Sequence, residues 1–192
     1  MKQSRNVPFT AIALLLTFSF VPSSLSIGCP DVTATTNTTN TYRKLHQVAP
    51  LLWDPKVASD CTNYAKKLAV GGCGLEHSHG PYGENLFAVT SYPKPDSTCA
   101  VAVKAWYSEV SRYNFKSTKP FTENWSKGVG HFTQLVWKST TKFGCGVYMV
   151  DKKLRSMTAT CKVIVCRYLP AGNVASDSFF KQNVLPPKVK SG

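Results

Sequence analysis

The sequence predicts an α+β protein in which helices pack on an antiparallel sheet. Two stretches, Val57–Leu68 and Cys99–Tyr113, carry apolar residues at three-and-four spacing, the period of a helix with one buried face. Three strand candidates follow: Phe132–Trp137, Gly144–Val150 and Ala159–Tyr168. Helices first and strands last suit helices laid against an antiparallel sheet.

The chain opens with Lys2 and Arg5, an apolar run from Phe9 to Val21, and small residues at Ser24 and Ser26. This is a secretory leader over residues 1–26, and its apolar run is too short to span a bilayer. Residues 27–40 are rich in Thr and Asn with no apolar period, and read as a flexible lead-in. A short helix from Thr41 to Val48 stops before Pro50. Asp54 and Pro55 then mark a helix start. Its stripe is Val57, Cys61, Tyr64, Ala65 and Leu68, and Gly71-Gly72 ends it. Residues 73–90 bring Gly, Pro and His in quick succession and read as irregular. Asp96 or Ser97 caps a second helix with the stripe Cys99, Val103, Trp106, Val110 and Tyr113. An aromatic loop over 114–129 leads to the strands, and residues 174–192 form a C-terminal extension.

The formal charge is +13, and loss of Lys2 and Arg5 with the leader lowers it by two. The lysines are scattered, with no run of five or more, so no nucleic-acid stripe is present. A secreted basic protein of this kind suits an anionic cell-wall or membrane surface. All seven cysteines lie after the leader, where an oxidising compartment favours disulfides, and an odd count leaves one over. Asn37-Thr38-Thr39 and Asn124-Trp125-Ser126 are glycosylation sequons.

Four side chains stand out on chemistry. His77 and His131 can ligate a metal or move a proton, and Glu84 and Glu109 can orient those rings, ligate, or act as a base. His131 enters an apolar run, Glu109 sits at the margin of the second helix's buried face, and Glu84 follows a glycine. Spacing alone leaves open whether the four meet or lie scattered on the surface. His79 is a further local candidate, read as a plain loop residue.

The motifs His77-Ser78, Gly83-Glu84-Asn85-Leu86, Trp106-Tyr107-Ser108-Glu109, Gly130-His131-Phe132-Thr133-Gln134-Leu135-Val136-Trp137 and Gly144-Cys145-Gly146 occur in that order. With them the chain resembles the CAP superfamily of cysteine-rich secretory, antigen 5 and pathogenesis-related class 1 proteins. It is most similar to the fungal sterol-binding members, and the resembling domain covers 41–173. The resemblance implies an α-β-α sandwich (the CAP/SCP fold) whose cleft carries His77, Glu84, Glu109 and His131, with a divalent metal, often zinc, on the histidines. Two imidazoles are fewer than the three protein ligands usual in a catalytic zinc site, so weak binding is expected.

The resemblance also implies a secreted, monomeric binding protein rather than an enzyme, with a sterol or fatty-acid-like lipid as its ligand. The aromatic loop residues Tyr113, Phe115, Phe121 and Trp125 are the candidate lipid site. The rival readings are a metal-dependent hydrolase and a defence or signalling protein that releases a peptide after Asn173. Arg167 and Leu169 depart from the plant pattern for the latter. Family pairing implies Cys145–Cys166. That register sets Cys161 across from Val150, where plant members carry a cysteine, so Cys161 is inferred to pair with Cys73.

Overall fold

The computed structural model describes residues 28–155 and 157–188, so the expected leader over 1–26 lies outside the described residues. A four-stranded sheet runs β1 (Leu52–Trp53), β3 (Lys142–Leu154), β4 (Met157–Leu169), β2 (Gly83–Ser91) in spatial order. β4 pairs antiparallel with both β2 and β3. The two-residue β1 joins β3 in parallel, so the sheet is mixed rather than wholly antiparallel.

Alternation along β4 divides the interior in two, as a pleated strand requires. Cys161, Val163 and Val165 pack with Cys61, Ala65, Leu68 and Ala69 of helix α2 (Pro55–Val70). Ile164, Cys166 and Tyr168 face the other way, into a core with Ala102, Val103 and Trp106 of α3 (Ala100–Ser108) and Leu135 of α5 (Gly130–Leu135). The result is an α-β-α sandwich. Asp54 caps α2 by accepting the Lys56 and Val57 N–H groups, and Pro55 occupies its first turn. The helix comes down on Gly144 and Gly146: a Cβ on Gly146 would stand 2.2 Å from the Thr62 nitrogen. Between them Cys145 points to the opposite layer, which accounts for the Gly-Cys-Gly order.

Three expectations from sequence are corrected. The flexible lead-in expected over 27–40 gives way to helix α1, which begins at Val32 and runs to Leu45. Its buried face is Thr35, Thr39 and Arg43, a four-residue period written in polar residues. The Phe132–Trp137 segment is not a strand but lies largely in helix α5. A short apolar run looks the same in either state, and the chain's own end-caps decide here. The stretch 73–90 is not irregular throughout, since β2 starts at Gly83 and pairs residue by residue with β4. Asp96 also leaves the second helix uncapped. Its carboxylate takes the Thr98 N–H and hydroxyl and the Lys162 ammonium. Asp31, from the start of α1, instead accepts the Cys99 and Ala100 N–H groups at 2.7 and 3.0 Å.

Disulfides join Cys29–Cys99, Cys73–Cys161 and Cys145–Cys166, and leave Cys61 as a buried free thiol. The C-terminal extension is strapped down as far as Lys188. Helix α6 (Asp177–Asn183) packs on the short helix α4 (Pro120–Asn124) and buries Phe180, and the Lys188 N–H donates to the Leu45 carbonyl.

Candidate functional site: a cleft between two histidine–glutamate pairs

Glu84 is the second residue of β2, directly opposite Arg167 of β4. Its carboxylate collects four donors. Oε1 meets His77 Nδ1 at 3.1 Å and the Ser78 N–H at 2.9 Å. Oε2 accepts the Ser78 hydroxyl at 2.6 Å and Arg167 Nε at 3.0 Å. Burial alone would raise this carboxyl, but Ser78, Arg167 and His77 together hold it below the usual range.

Glu109 ends α3 and reaches the first turn of α5. Oε1 meets His131 Nδ1 at 2.7 Å, and Oε2 accepts the His131 and Phe132 N–H groups at 3.0 and 3.1 Å. It is therefore both partner of the ring and cap of the helix that carries it. Trp106 lies nearly parallel to the His131 ring with centroids 6.0 Å apart, and Asn85 donates to the His131 carbonyl. At the far end of α5, the buried Arg43 donates to the carbonyls of Leu135, Trp137 and Thr140. Burial lowers this guanidinium to about 10, against a smaller opposing effect of Tyr168. Even so it stays charged at neutral pH, and it fixes α5 from below.

The two pairs border one cleft of about 240 Å³, with Trp125 and Asn173 on its rim. Each imidazole meets a carboxylate at Nδ1, and neither Nε2 has a hydrogen-bond partner among the described residues. This is the carboxylate–histidine arrangement that presents Nε2 as a ligand. The donor set thus fits a two-imidazole metal site, with Glu84 and Glu109 behind the ligands rather than among them. No three of the four side chains bring ligand atoms within 4.8 Å of one another. Among the described residues only Cys29, Asp31 and Cys99 do so, and there the sulfurs are joined to each other. His79 is exposed at positive φ and lines the adjoining opening with Ser78 and Tyr82.

The aromatic residues of the loop do not line a common pocket. Tyr113 and Phe115 pack at a tilt on each other and edge-to-face on Phe132. Phe121 and Trp125 lie 5.6 Å apart and both pack on Phe180 of α6. Phe180 fills the space that the loop alone would have left open, and only Trp125 of the four reaches the cleft. The Asn124 sequon does not present its amide to solvent. Its side chain is fully buried, accepts the Asn114 N–H at 2.7 Å and donates to the Pro120 carbonyl at 2.9 Å. Asn37 is exposed on α1. The sequence assigns Arg43, Asn85 and Arg167 no role in the site, although Asn85 stands beside Glu84 in the Gly83–Leu86 motif and Arg167 is a charged residue within a strand candidate.

Fold and cleft together define a sandwich protein with a paired His/Glu centre at one edge of its sheet. The chain belongs to the CAP family, the cysteine-rich secretory protein family, whose model matches residues 36–168 and so takes in all four site residues. It is 41% identical over 155 residues to Repressed by EFG1 protein 1 of Candida albicans, covering 77% of this chain but only 51% of that relative, about half its length. It is 38% identical to the Golgi-associated plant pathogenesis-related protein 1 of Homo sapiens, over 78% of this chain and 88% of that one. Among solved structures, the crystal structure of NaASP2 with Zn2+ superposes with a TM-score of 0.60 at 26% identity, covering 84% of this chain and 91% of the other.

Proposed function

We propose that this is a secreted, non-catalytic binding protein that carries a sterol or fatty-acid-like lipid and holds a divalent cation, zinc foremost, in the His/Glu cleft. The observation that carries the reading is the double clamp on Nδ1, by Glu84 on His77 and by Glu109 on His131, which leaves both Nε2 lone pairs free. A bound ion supplies Lewis acidity and an acidified water ligand. The chain's own part is to ligate through His77 and His131 and to orient those rings through the carboxylates. Two protein ligands make the site weak. The zinc complex of NaASP2 is in keeping with this. The Ser78 hydroxyl is committed to Glu84, which favours binding over nucleophilic turnover.

The lipid half of the reading moves away from the aromatic loop. A groove of about 650 Å³ along the C-terminal segment is bordered by Trp137, Val174, Phe179 and Leu185, with Lys138 and Lys181 at its edge. Its volume falls within the ~300–1,000 Å³ of small-ligand sites. Val174 and Phe179 remain 43% and 46% exposed, so apolar surface is available there. Three disulfides favour an oxidising, extracellular location.

Two titrations test the proposal. Calorimetry with Zn2+ is expected to show weak saturable binding that His131→Ala abolishes; heats indifferent to that change reject the metal half. Radiolabelled sterol and fatty acid are expected to bind with saturation, and Phe179→Ala to weaken the binding. No saturable binding of either lipid rejects that half. Ester or peptide turnover that vanishes on chelation and in His131→Ala would instead establish the hydrolase.

A further inference from the structure

Arg167 is only 6% exposed, yet most of its hydrogen-bonding capacity is unspent. Its Nε donates to Glu84, and no other part of the guanidinium has an acceptor among the described residues. A guanidinium carries five donors in a fixed fork, and a buried one normally spends them on protein acceptors. Here the group is wedged between two aromatic rings, with its carbon 4.2 Å from the Tyr82 centroid and 5.0 Å from that of Tyr64. Both hydroxyls are already engaged, Tyr64 with the Glu76 carbonyl and Tyr82 with Ser78. The rings therefore fix the plane of the fork without consuming its donors.

That fork belongs to a pocket of about 310 Å³ on the outer side of α2, apart from the histidine cleft. The other lining residues, Asp60, Asn63, Tyr64 and Lys67, lie three and four apart, so one face of α2 presents them together. Neither the Asn63 amide nor the Asp60 carboxylate has a hydrogen bond of its own among the described residues. Lys67 sits over the Tyr64 ring at 5.6 Å and makes no ion pair there. Asp60, the pocket's own acid, likewise forms no ion pair with Arg167. Free Nη donors on a buried, rigidly held arginine thus face an opening that also holds a free amide and a free ammonium.

We propose that this pocket is a subsite for a tetrahedral oxyanion, phosphate or sulfate, held by the Arg167 fork with Lys67 and Asn63 closing over it. The planar, preorganised fork suits two oxygens of one such group. Asp60 opposes the anion and keeps the affinity modest. Phosphate can arrive free or as the monoester headgroup of a lipid, and the two sources share this recognition chemistry.

The test is a titration of isotope-labelled full-length protein with inorganic phosphate and with sulfate at constant ionic strength, with chloride as control. Saturable shifts at Asn63, Lys67 and the Arg167 side chain are expected, about equal for the two anions and absent with chloride. Lys67→Ala should weaken binding ~2–5-fold, and Asp60→Asn should tighten it by a similar factor, each the worth of one exposed charge. Both positions are exposed, so the fold is retained, and a thermal melt checks it. Arg167→Lys keeps the charge facing Glu84 but loses the fork, and should abolish saturation. Sedimentation with phosphatidate and with phosphatidylcholine vesicles separates the sources. Binding to the first alone, competed by free phosphate, identifies the headgroup; no vesicle binding beside intact phosphate binding identifies the free anion. Shifts that never saturate, or that Lys67→Ala and Asp60→Asn leave unchanged, overturn the subsite.

Discussion

Glu109 holds His131 at two points at once: Oε1 meets the ring Nδ1 at 2.7 Å, and Oε2 accepts the same residue's backbone N–H at 3.0 Å. Ring orientation and helix start are therefore one interaction. Glu109→Gln keeps the volume but removes the charge at the α5 N-terminus and one acceptor. It should destabilise the fold by ~1–2 kcal/mol, the scale of a lost cap with its charge. If zinc binds as proposed, its affinity should fall ~10–100-fold, the cost of losing an orienting carboxylate. Urea unfolding and zinc calorimetry on the same variant check both. A loss of stability with zinc affinity intact would detach the carboxylate from the metal.

The free thiol gives a chemical prediction. Burial pushes the Cys61 thiol up to about 12, with the Arg167 charge opposing, and the Sγ–H donates to the Gly144 carbonyl. The thiolate is the reactive form, so a native chain at pH 8 should resist maleimide. After unfolding without reductant, one equivalent should react, and all seven cysteines should react after reduction. Native labelling at a rate comparable to a free peptide thiol would show that α2 lifts off Gly144 and Gly146.

These residues also mark how much was legible beforehand. The helix α2 was read to within a residue or two because Asp54, Pro55 and Gly71 punctuate it and its stripe is apolar. α1 was missed because its buried face is Thr35, Thr39 and Arg43, which burial alone identifies. α5 looked like a strand because the groups that make it a helix, Glu109 at one end and Arg43 at the other, lie 22 or more residues away in the chain. The His/Glu quartet was named from motifs, but its division into two clamped pairs depends on which oxygen meets which nitrogen. The aromatic loop divides into two groups because Phe180, distant in sequence, packs between Phe121 and Trp125 and draws them away from Tyr113 and Phe115.

Glycosylation separates the two sequons. Asn37 is exposed, whereas the Asn124 amide is fully buried and hydrogen-bonded to Asn114 and Pro120 of its own loop. A glycan on Asn124 would require that loop to open. Expression in a eukaryotic secretory host should give at most one occupied site. Mass spectrometry of glycopeptides should find Asn37 modified and Asn124 bare, and Asn37→Gln should remove the whole mass shift. Occupancy at Asn124 in folded, soluble protein would contradict the burial.

Stability should also depend on pH through His46, which clasps the C-terminal strap to the body. The ring is fully buried; Nδ1 meets the Leu185 carbonyl at 2.6 Å and Nε2 the Tyr107 hydroxyl at 3.0 Å. Phe115 and Phe132 pack around it. Burial pushes this imidazole below its ordinary value, and the Leu185 hydrogen bond only partly opposes that. In the unfolded chain it titrates near ~6.5. Between the two values the unfolded state binds the extra proton, so stability falls as pH drops through ~6.5 and levels off below the folded value. One proton sets a ceiling of ~1.4 kcal/mol per pH unit on the slope. Glu84, Asp96 and Asp177 are held below the carboxylate range and lose their contributions only at more acidic pH, below the window in which His46 acts. Urea midpoints from pH 7.5 to pH 5 should decline toward acid in the wild type and flatten in His46→Gln, whose amide retains one donor and one acceptor. Limited proteolysis should find the segment after Asn183 more accessible at pH 5 than at pH 7.5. Parallel pH profiles for the two proteins would remove His46 as the source of the decline.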